Sequence, residues 1–369
     1  MSGIRITPVI HNGTKAPLRL GIAEAQEALA FHKTLPDYAP TPLTELKSLA
    51  SKLGIGRFFV KDESPRFSLN AFKGLGGSFA MHAVAVGREA LTFITATDGN
   101  HGRGVAWAAQ KMGHKALVYM PAGSASERLE NIRRLGAEAE MTDLCYDDTV
   151  RLASRIAEEK GFILLQDTAW DGYEAIPALI MQGYTTMGAE ITEQLGDTVP
   201  THIFLQAGVG AMAGAMTSFF ADAYADNKPT VVIVEPEGAD CIYRTAKADD
   251  GALHFCGSEM HTEMAGLCCG EPCTVAWDIL QKYADYVVTC PDSITEDGMR
   301  MYAHPSGDDR PIVSGESGAV TGGLVAALMT KPENSAIRNM IGLNERSVVL
   351  CISTEGDTDK ENYRRITEL

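Results

Sequence analysis

The sequence has no long apolar run. Among its 369 residues, no stretch reaches the roughly 18 to 20 consecutive apolar residues that a membrane-spanning helix requires. The first ten residues, MSGIRITPVI, also lack the apolar core of a secretion signal. We therefore expect a cytoplasmic protein without a membrane partner.

Positive charge is scarce. The chain has 32 lysines and arginines against 48 aspartates and glutamates, which gives a formal net charge of −16 at pH 7. Because nucleic-acid phosphates favour a basic surface, we expect no nucleic-acid partner. The charge does not exclude a small anionic ligand, since one pocket can be positive inside an acidic protein.

Metal-ligand spacing is absent among the cysteines. The chain has eight of them, and Cys268, Cys269 and Cys273 lie close together, but no second CxxC pair and no paired histidines accompany them. We predict no metal. In a chain of this length without a secretion signal we expect reduced thiols, although one disulfide involving Cys241 or Cys269 stays open.

What the sequence does contain is an alternation of short β-rich runs and helical stretches, which is typical of α/β units around a mostly parallel sheet. The chain is too long for one ordinary core, so two lobes are expected. Apolar residues recur at spacings of three and four over 126–135 and 148–161 and predict helices there. The predicted strands are RFFVKD (57–62), LTFITAT (91–97), HKALVYM (114–120), GFILLQD (161–167), THIFLQA (201–207), PTVVIVEP (229–236), ADYVVTC (284–290) and SVVLCIS (347–353).

Ligands of such sheets collect beyond the carboxyl ends of the strands, and the first unusual residue there is a lysine. Lys73 follows Phe72 and precedes Gly74 in KDESPRFSLNAFKGLGG (61–77), at the start of a predicted helix. Aromatic neighbours and the positive end of a helix both favour the neutral amine, which is the form that reacts with a carbonyl. Taken alone, the position fits a solvated surface lysine better.

A glycine-rich turn, TATDGNHGRG (95–104), follows the next strand. Its glycines let backbone amides approach a ligand, and Asn100 and His101 add side-chain donors, so the turn suits an anion such as a substrate carboxylate. Asp98 does not suit an anion. An acid at a ligand-binding edge indicates a proton acceptor or donor, although an aspartate here also fits the N-cap of the following helix.

A second turn of small residues, QAGVGAMAGA (206–215), follows another strand. Its consecutive amides suit a phosphate at a helix start. The same pattern fits a degenerate dinucleotide turn, and Glu235 lies about where that motif places its acid. A nicotinamide-dependent enzyme therefore remains an alternative at this motif.

The last strand ends in CISTEGDTD (351–359). Ser353 and Thr354 offer neutral hydroxyls, which keep a pyridine nitrogen unprotonated when they lie beside it. Asp357 and Asp359 are interpreted as acidic residues of a capped surface loop.

Taken in chain order, the four turns resemble those of the tryptophan-synthase-type, or fold type II, family of pyridoxal-phosphate enzymes. The residues that match its motifs are Asn70, Phe72, Lys73, Thr97, Gly99, Asn100, Gly208 and Gly210. The resemblance implies an α/β fold of two open, mostly parallel twisted sheets flanked by helices, with the cofactor in the cleft between two lobes. It implies a large domain at 1–80 and 180–369, a small domain at 81–179, and a homodimer.

The same resemblance implies pyridoxal 5′-phosphate as the cofactor, bound to Lys73 as a Schiff base. Phe72 and Asn100 would lie beside its ring, and Ser353 or Thr354 would meet its pyridine nitrogen. The phosphate would be held by Ala207, Gly208, Val209, Gly210 and Ala211.

Longer segments resemble one group within this family, the diaminopropionate ammonia-lyases. The stretch from 78 to 91 is shorter than that group suggests. The resembling segments are NAFKGLGGS, TATDGNHGRGVAW, QDTAWDGYEAIP, MQGYTTM, AGLCCGEPC, SGESGAV and STEGDTD, from about residue 61 to residue 359.

This closer resemblance implies an α,β-elimination that converts 2,3-diaminopropionate, as both D and L isomers, to pyruvate and two ammonia molecules. Lys73 would take the Cα proton of the L isomer, and Asp98 that of the D isomer. Asp167 would orient or protonate the β-amino leaving group. The substrate is expected to contact Thr97, Asp98, Gly99, His101 and Asp167.

Three alternatives stay open: a serine or threonine dehydratase of the same fold, a nicotinamide-dependent oxidoreductase, and a non-catalytic ligand-binding protein. Asp98 speaks against the dehydratase, because an uncompensated acid repels an incoming carboxylate. Four further side chains are weaker candidates for the site, namely Trp170, Tyr173, Glu271 and Glu316.

Overall fold

The computed structural model describes residues 3–13, 17–97, 99–257 and 260–368. Within these residues the strands form two sheets, one of seven strands and one of four. The strands are β1 (Arg5–Pro8), β2 (Leu43–Glu45), β3 (Arg57–Asp62), β4 (Thr92–Ala96), β5 (Lys115–Met120), β6 (Glu138–Met141), β7 (Ile163–Leu164), β8 (His202–Gln206), β9 (Thr230–Pro236), β10 (Tyr286–Cys290) and β11 (Val348–Ser353).

Helices cover both sheets. No helix of the described residues is long and apolar enough to cross a membrane. The helices are α1 (Ile22–His32), α2 (Lys47–Leu53), α3 (Gly74–Ala85), α4 (Asn100–Met112), α5 (Ser126–Arg133), α6 (Tyr146–Lys160), α7 (Ala175–Leu195), α8 (Ala211–Ala223), α9 (Cys241–Ala248), α10 (Thr274–Tyr283), α11 (Asp292–Ala303), α12 (Glu316–Thr330), α13 (Ser335–Ile341) and α14 (Lys360–Thr367), with 3₁₀ turns at Arg66–Ser68, Ala225–Asn227, Ala265–Leu267 and Pro332–Asn334.

The larger sheet has the strand order β1-β10-β9-β8-β11-β3-β2. Its two outer strands, β1 and β2, pair antiparallel, and the five inner strands run parallel. The smaller sheet, β6-β5-β4-β7, is parallel throughout. Strands of a parallel sheet are buried on both faces, and β8 is accordingly buried along its whole length.

All eight predicted strands are confirmed, although β7 shortens to Ile163–Leu164. The helices predicted over 126–135 and 148–161 are α5 and α6, and α6 ends at Gly161, whose φ of 66° is left-handed. The sequence analysis missed β1, β2 and β6. The first two are short, and β6 buries only Ala139 and so has no apolar pattern.

Helix α3 lies unusually close to its neighbours because glycines occupy the contacts. A Cβ at Gly104 of α4 would lie 2.9 Å from the backbone nitrogen of Gly74 and 3.0 Å from the carbonyl carbon of Lys73. A Cβ at Gly183 of α7 would lie 2.6 Å from the carbonyl oxygen of Leu75. The start of α3 is therefore fixed against α4 on one side and α7 on the other.

A buried ion cluster supports the segment that leads to α3. Glu190 of α7 accepts hydrogen bonds from Lys61 Nζ and from Arg66 Nη2, both at 2.7 Å. Arg66 Nε also donates to Glu63 Oε2 at 2.8 Å. The four side chains carry two positive and two negative charges and are at most 1 % exposed, so the charges balance inside the protein.

Candidate active site

A cavity of about 420 Å³ lies at the carboxyl ends of the strands of both sheets. Its size is in the range of small-molecule sites. Two residues assigned to the site from the sequence, Gly99 and Ser353, are not part of its lining, and Asp98 lies outside the described residues. The assigned residues that do line it are Phe72, Lys73, Thr97, Asn100, His101, Asp167, Ala207, Gly208, Val209, Gly210, Ala211 and Thr354.

Lys73 is the N-cap residue of α3. Its ammonium group donates a hydrogen bond to Asp167 Oδ2 and lies 5.4 Å from the centre of the Phe72 ring. That ring packs on Tyr184 of α7, with ring centres 4.7 Å apart. The lysine is therefore partly desolvated by aromatic rings and paired with an acid, which excludes the solvated surface lysine.

Asp167 is buried at the end of the segment that follows β7. Burial alone would raise its pKa, but the nearby charges of His101 and Lys73 and the hydrogen bond from Lys73 hold the pKa at about 2. The carboxylate is therefore ionised at any physiological pH and acts as an acceptor.

His101 lies between Asp167 and the backbone of Leu165. Its Nε2 lies 2.7 Å from the carbonyl oxygen of Leu165, which can only accept, so Nε2 must carry the proton. Its Nδ1 lies 3.7 Å from Asp167 Oδ2. The ring thus links Asp167 to the backbone that positions it.

The turn before α4 is stabilised by a threonine hydroxyl. Thr97 Oγ1 accepts hydrogen bonds from the backbone amides of Gly99, at 2.9 Å, and Gly102, at 3.0 Å. The Gly99 backbone also lies against the aliphatic stem of Arg128, because a Cβ there would come within 2.8 Å of Arg128 Cδ. Gly99 has a φ of 149°, which a side chain rarely tolerates.

The turn over 207–211 begins α8 and presents its backbone to the cavity. Gly210 has a φ of 96°. A Cβ at Gly208 would lie 3.1 Å from Cys269 Sγ and 3.2 Å from the carbonyl oxygen of Gly266, so only glycine fits without displacement. A small-residue turn at a helix N-terminus binds phosphate through its amides.

The two hydroxyls after β11 separate in the structure. Ser353 Oγ donates to Ser314 Oγ at 2.7 Å and is directed away from the cavity. Thr354 Oγ1 accepts from Gln206 Nε2 at 2.9 Å, which leaves the Thr354 proton to donate elsewhere. Thr354 is therefore the hydroxyl that suits an unprotonated pyridine nitrogen, and the assignment of Ser353 is not supported by its position.

The segment before Lys73 pairs with the segment after β11. The backbone amide of Phe72 donates to Thr354 O at 3.1 Å, and that of Gly356 donates to Asn70 O at 3.0 Å. Asn70 Nδ2 also donates to Asp357 Oδ1 at 2.9 Å, and Asp359 caps α14 and lines the cavity. The interpretation of these aspartates as surface residues was therefore wrong in part.

The position of Glu235 contradicts the interpretation of the 206–215 turn as a dinucleotide-binding turn. Glu235 is fully buried and accepts the backbone amides of Ile242, at 2.9 Å, and Tyr243, at 2.7 Å, at the start of α9. Both carboxylate oxygens are occupied there. Glu235 is not available for a ribose hydroxyl.

Of the four weaker candidates for the site, one lines the cavity and three do not. Glu316 lines the cavity, but Trp170, Tyr173 and Glu271 do not. Tyr173 donates to the carbonyl oxygen of Leu164 at 2.8 Å and stacks on Trp170, with ring centres 4.5 Å apart. Glu271 pairs with Arg151 of α6.

The sequence analysis missed several lining residues or gave them no role. The clearest are Arg128, Tyr146, Gln206, Glu355 and Asn362. Gln206 ends β8 and Glu355 follows β11, whereas Arg128, Tyr146 and Asn362 lie on α5, α6 and α14, the helices that follow β5, β6 and β11. The rule of strand ends points to these segments but not to the side chains that reach the cavity.

The residues of the cavity fit pyridoxal phosphate. Lys73 supplies the amine, the 207–211 turn supplies amides for a phosphate, and Thr354 supplies a hydroxyl for the ring nitrogen. Gln206 Oε1 is buried without a hydrogen-bond partner among the described residues, as a group awaiting a ligand would be. The eight cysteines are free thiols, and the described residues contain no cluster of metal ligands.

Comparisons with known proteins agree with this geometry. The sequence profile of the family described as pyridoxal-phosphate dependent enzyme matches residues 34–352. The chain is 48 % identical to the diaminopropionate ammonia-lyase of Salmonella typhimurium over 366 residues, which covers 92 % of this chain and 91 % of the relative.

Two solved structures of diaminopropionate ammonia-lyase from Escherichia coli are similar along almost the whole chain. The complex with an aminoacrylate-PLP azomethine reaction intermediate matches with a TM-score of 0.93 and 44 % identity, covering 99 % of this chain and 96 % of that chain. The complex with D-serine matches with a TM-score of 0.93 and 43 % identity, at the same coverage.

Proposed function

The chain belongs to the family of pyridoxal-phosphate dependent enzymes, and we propose that it is a diaminopropionate ammonia-lyase. In this reaction 2,3-diaminopropionate and one water give pyruvate and two ammonia molecules. The observation that carries the proposal is the pairing of Lys73 with the buried, ionised Asp167 at the cavity wall. A substrate with a second ammonium group needs such a carboxylate.

The cofactor's place follows from the lining residues. Lys73 holds pyridoxal phosphate covalently, the 207–211 turn binds its phosphate, and Thr354 donates to its ring nitrogen, with Phe72 and Asn100 beside the ring. When bound, the cofactor supplies an electron sink for the negative charge that develops at the substrate Cα.

Lys73 and Asp167 divide the proton chemistry. With the substrate bound, Lys73 Nζ would be free to take the Cα proton of the L isomer. Asp167 then accepts a hydrogen bond from the substrate β-ammonium in place of the lysine. We assign to Asp167 the orientation of this group, and the β-ammonium leaves as neutral ammonia.

The D isomer presents its Cα proton on the opposite face and needs a second base. We assign this role to Asp98, on the sequence position alone, between β4 and α4. The E. coli relative accommodates D-serine, which supports a site that accepts D amino acids. Thr97, Gly99 and His101 shape the turn that receives the substrate carboxylate.

Replacing Asp98 by asparagine tests this assignment. The expected result is a kcat with the D isomer lower by about 10²- to 10⁴-fold, the usual contribution of a general base, with the L isomer affected far less. Equal losses with the two isomers would show that Asp98 acts in binding and not as the second base.

The reaction itself is tested by product stoichiometry. Diaminopropionate should release two ammonia molecules per pyruvate, whereas serine releases one, and threonine gives ketobutyrate. A panel of the D and L isomers of all three amino acids, scored for ammonia and keto acid, should favour diaminopropionate. A preference for serine or threonine would support the dehydratase instead.

The assignment of the cofactor lysine has its own test. Borohydride should fix the yellow cofactor to Lys73. The Lys73→Ala variant should bind the cofactor only non-covalently and turn over neither isomer.

We further propose that the protein works in the cytoplasm as a homodimer, with the large domain at 1–80 and 180–369 and the small domain at 81–179. Sedimentation of the holoenzyme checks the oligomeric state.

A further inference from the structure

Glu355 is a buried acid at the cavity wall for which the proposed reaction has no role. It follows β11 and is only 2 % exposed. Its Oε2 accepts hydrogen bonds from Asn100 Nδ2, at 2.5 Å, and from Thr358 Oγ1, at 3.1 Å. Its Oε1 accepts the backbone amide of Ser317 at 3.0 Å.

The hydrogen bond to Asn100 decides which way the amide of that residue faces. An asparagine side chain can present either its NH₂ group or its oxygen to a partner, and Glu355 Oε2 is the acceptor in this bond, as it is in the bond from Thr358. Glu355 therefore selects the NH₂ end of Asn100. One N–H is used in this bond, and the second N–H and Oδ1 remain for the cavity that Asn100 lines.

The same bond joins the two sides of the cleft. Asn100 begins α4, which follows β4 of the four-stranded sheet, whereas Glu355 follows β11 of the seven-stranded sheet. The pairing of Lys73 with Asp167 also crosses the cleft, but Lys73 must leave it to bind the cofactor. The bond between Asn100 and Glu355 does not involve the reacting amine and can persist through the reaction.

Glu316 shows that this part of the wall is electrostatically sensitive. Burial and the charge of Glu355 raise the pKa of Glu316 to about 7, although the hydrogen bond from Asn362 Nδ2 and the charge of Arg128 lower it. Glu316 and Glu355 line the same cavity. A second buried acid beside Glu355 lowers the stability of the folded protein. Such acids with a shifted pKa are found mainly at functional sites.

We propose that Glu355 is a positioning residue that holds the Asn100 amide across the cleft, with its NH₂ group fixed, against the bound cofactor. The inference rests on the proposed function for the substrate used in the kinetic tests. The cofactor is that of the family to which the chain belongs. Glu355 does not touch the reacting atoms. It acts through Asn100.

The test compares Glu355→Gln with two further variants. Glu355→Gln keeps the size of the side chain but can present a donor to Asn100, so the amide loses its fixed orientation. We expect kcat to fall about 10- to 100-fold with both isomers, because a small misplacement of an active-site group lowers the rate by about this factor. KM should change far less. Glu355→Asp keeps the charge, and it should recover part of the loss.

Thr358→Val is the matched control. It removes a donor from the same carboxylate oxygen, but Thr358 is not part of the cavity lining, and its hydroxyl is hydrogen-bonded to Glu355 and not to Asn100. We expect kcat to stay within about twofold of the wild type, because Glu355 keeps its charge and its hydrogen bond from Asn100. Equal losses in Thr358→Val and Glu355→Gln would mean that Glu355 only anchors the turn at 355–358, and this would overturn the proposal.

A double-mutant cycle separates positioning from packing. In an Asn100→Ala background, Glu355→Gln should have almost no further effect on kcat, because its partner is gone. Multiplicative losses would contradict the proposal. Thermal unfolding of each variant shows that it is folded, and Glu355→Asp carries the same cycle if Glu355→Gln does not fold.

Two readouts need no substrate. The visible absorption band of the bound cofactor should shift in Glu355→Gln and in Asn100→Ala but not in Thr358→Val, and the dissociation constant for pyridoxal phosphate should rise in the same two variants. An unchanged band and affinity in Glu355→Gln would overturn the proposal. If wild-type protein binds the cofactor but does not consume diaminopropionate, only the proposed substrate fails.

Discussion

Asp167 is the residue whose environment says most about the chemistry. A fully buried carboxyl group ordinarily has a raised pKa, yet here His101 and Lys73 hold the pKa at about 2. The group is therefore an obligate anion in the free enzyme. In the proposed reaction Lys73 would hold the cofactor, and the substrate β-ammonium would replace the lysine beside Asp167. The ammonium groups of Lys73 and of the substrate would thus occupy the same place at different times.

Replacing Asp167 by asparagine should lower kcat/KM for both isomers of diaminopropionate by about 10- to 100-fold, because the charged hydrogen bond that we assign to the β-ammonium is lost. Steady-state kinetics with the two isomers measure the change. The loss for D-serine, which lacks the second ammonium, should be much smaller. A loss restricted to one diaminopropionate isomer would show that Asp167 is a base for that isomer.

The sequence predicted most of the residues at this scale, because they follow predicted strands in motifs of small and polar residues. The assignment of Ser353 differs from the structure for a local reason. Ser353 is still part of β11, and its side chain points to Ser314, whereas Thr354 is the first residue beyond the strand. Adjacent residues of a strand point to opposite sides, and the sequence alone does not say which side faces the cavity.

At the scale of elements, the contact between α3 and α4 fixes the distance between Lys73 and Asn100. Gly104 allows the contact, since a Cβ there would meet the backbone of Gly74 and Lys73. The sequence showed the glycine but not its partner, because the two helices are joined by a strand and pack through tertiary contacts. The same holds for the missed contributions of Arg128, Gln206 and Glu355.

Gly104→Ala should push α4 away from α3. We expect a loss of about 1 to 3 kcal/mol in the free energy of unfolding, the usual cost of overpacking, together with weaker cofactor binding. Urea unfolding and cofactor titration measure the two effects. Gly3→Ala, where an added Cβ meets nothing within 4 Å, is the control and should change neither. Unchanged cofactor affinity in Gly104→Ala would show that the spacing of the helices does not matter.

The N-terminus of α6 carries a pH-dependent element. Partial burial and the charge of Glu271 raise the pKa of Asp147 to about 6, although Arg151 lowers it. A carboxyl group with a raised pKa in the folded state binds more protons when folded. Asp147 therefore does not lower the free energy of unfolding in acid. It lowers this free energy progressively as pH rises from about 4 through about 6.

Asp147→Asn should accordingly stabilise the protein above pH 6 and have no effect below about pH 4. We expect about 1 to 2 kcal/mol, discounted from the full value of the pKa shift because the carboxyl is partly exposed. Unfolding curves at pH 4 and pH 8 measure the difference. A gain of equal size at both pH values would mean that ionisation is not its cause.

At the scale of the molecule, the buried ion cluster joins parts of the chain that are far apart in sequence. It connects β3 and the segment up to Arg66 with α7, and Thr41 and Tyr38 add hydrogen bonds to Glu190. Buried charges of this kind gain little net stability while paired, but an unpaired one is costly. The cluster therefore makes the two regions depend on each other.

Glu190→Gln leaves Lys61 and Arg66 with one buried anion between them. We expect the free energy of unfolding to fall by about 3 to 5 kcal/mol, measured as a lower urea midpoint at an unchanged slope. The exposed pair of Glu130 and Arg133 is the comparison, and Glu130→Gln should cost less than about 1 kcal/mol. Similar losses in the two variants would contradict a special role for the buried cluster.

The position of β11 has a consequence for synthesis. This strand lies between β8 and β3, near the middle of the larger sheet, although it is the last strand of the described chain to leave the ribosome. Until residue 353 has emerged, β3 and β8 have no neighbour between them, and Phe72 and Asn70, just before Lys73, lack the backbone partners that Thr354 and Gly356 provide. Once β8 has been translated, β3 and β8 therefore each keep an exposed edge until β11 follows, and the cofactor pocket closes only after translation of the last strand.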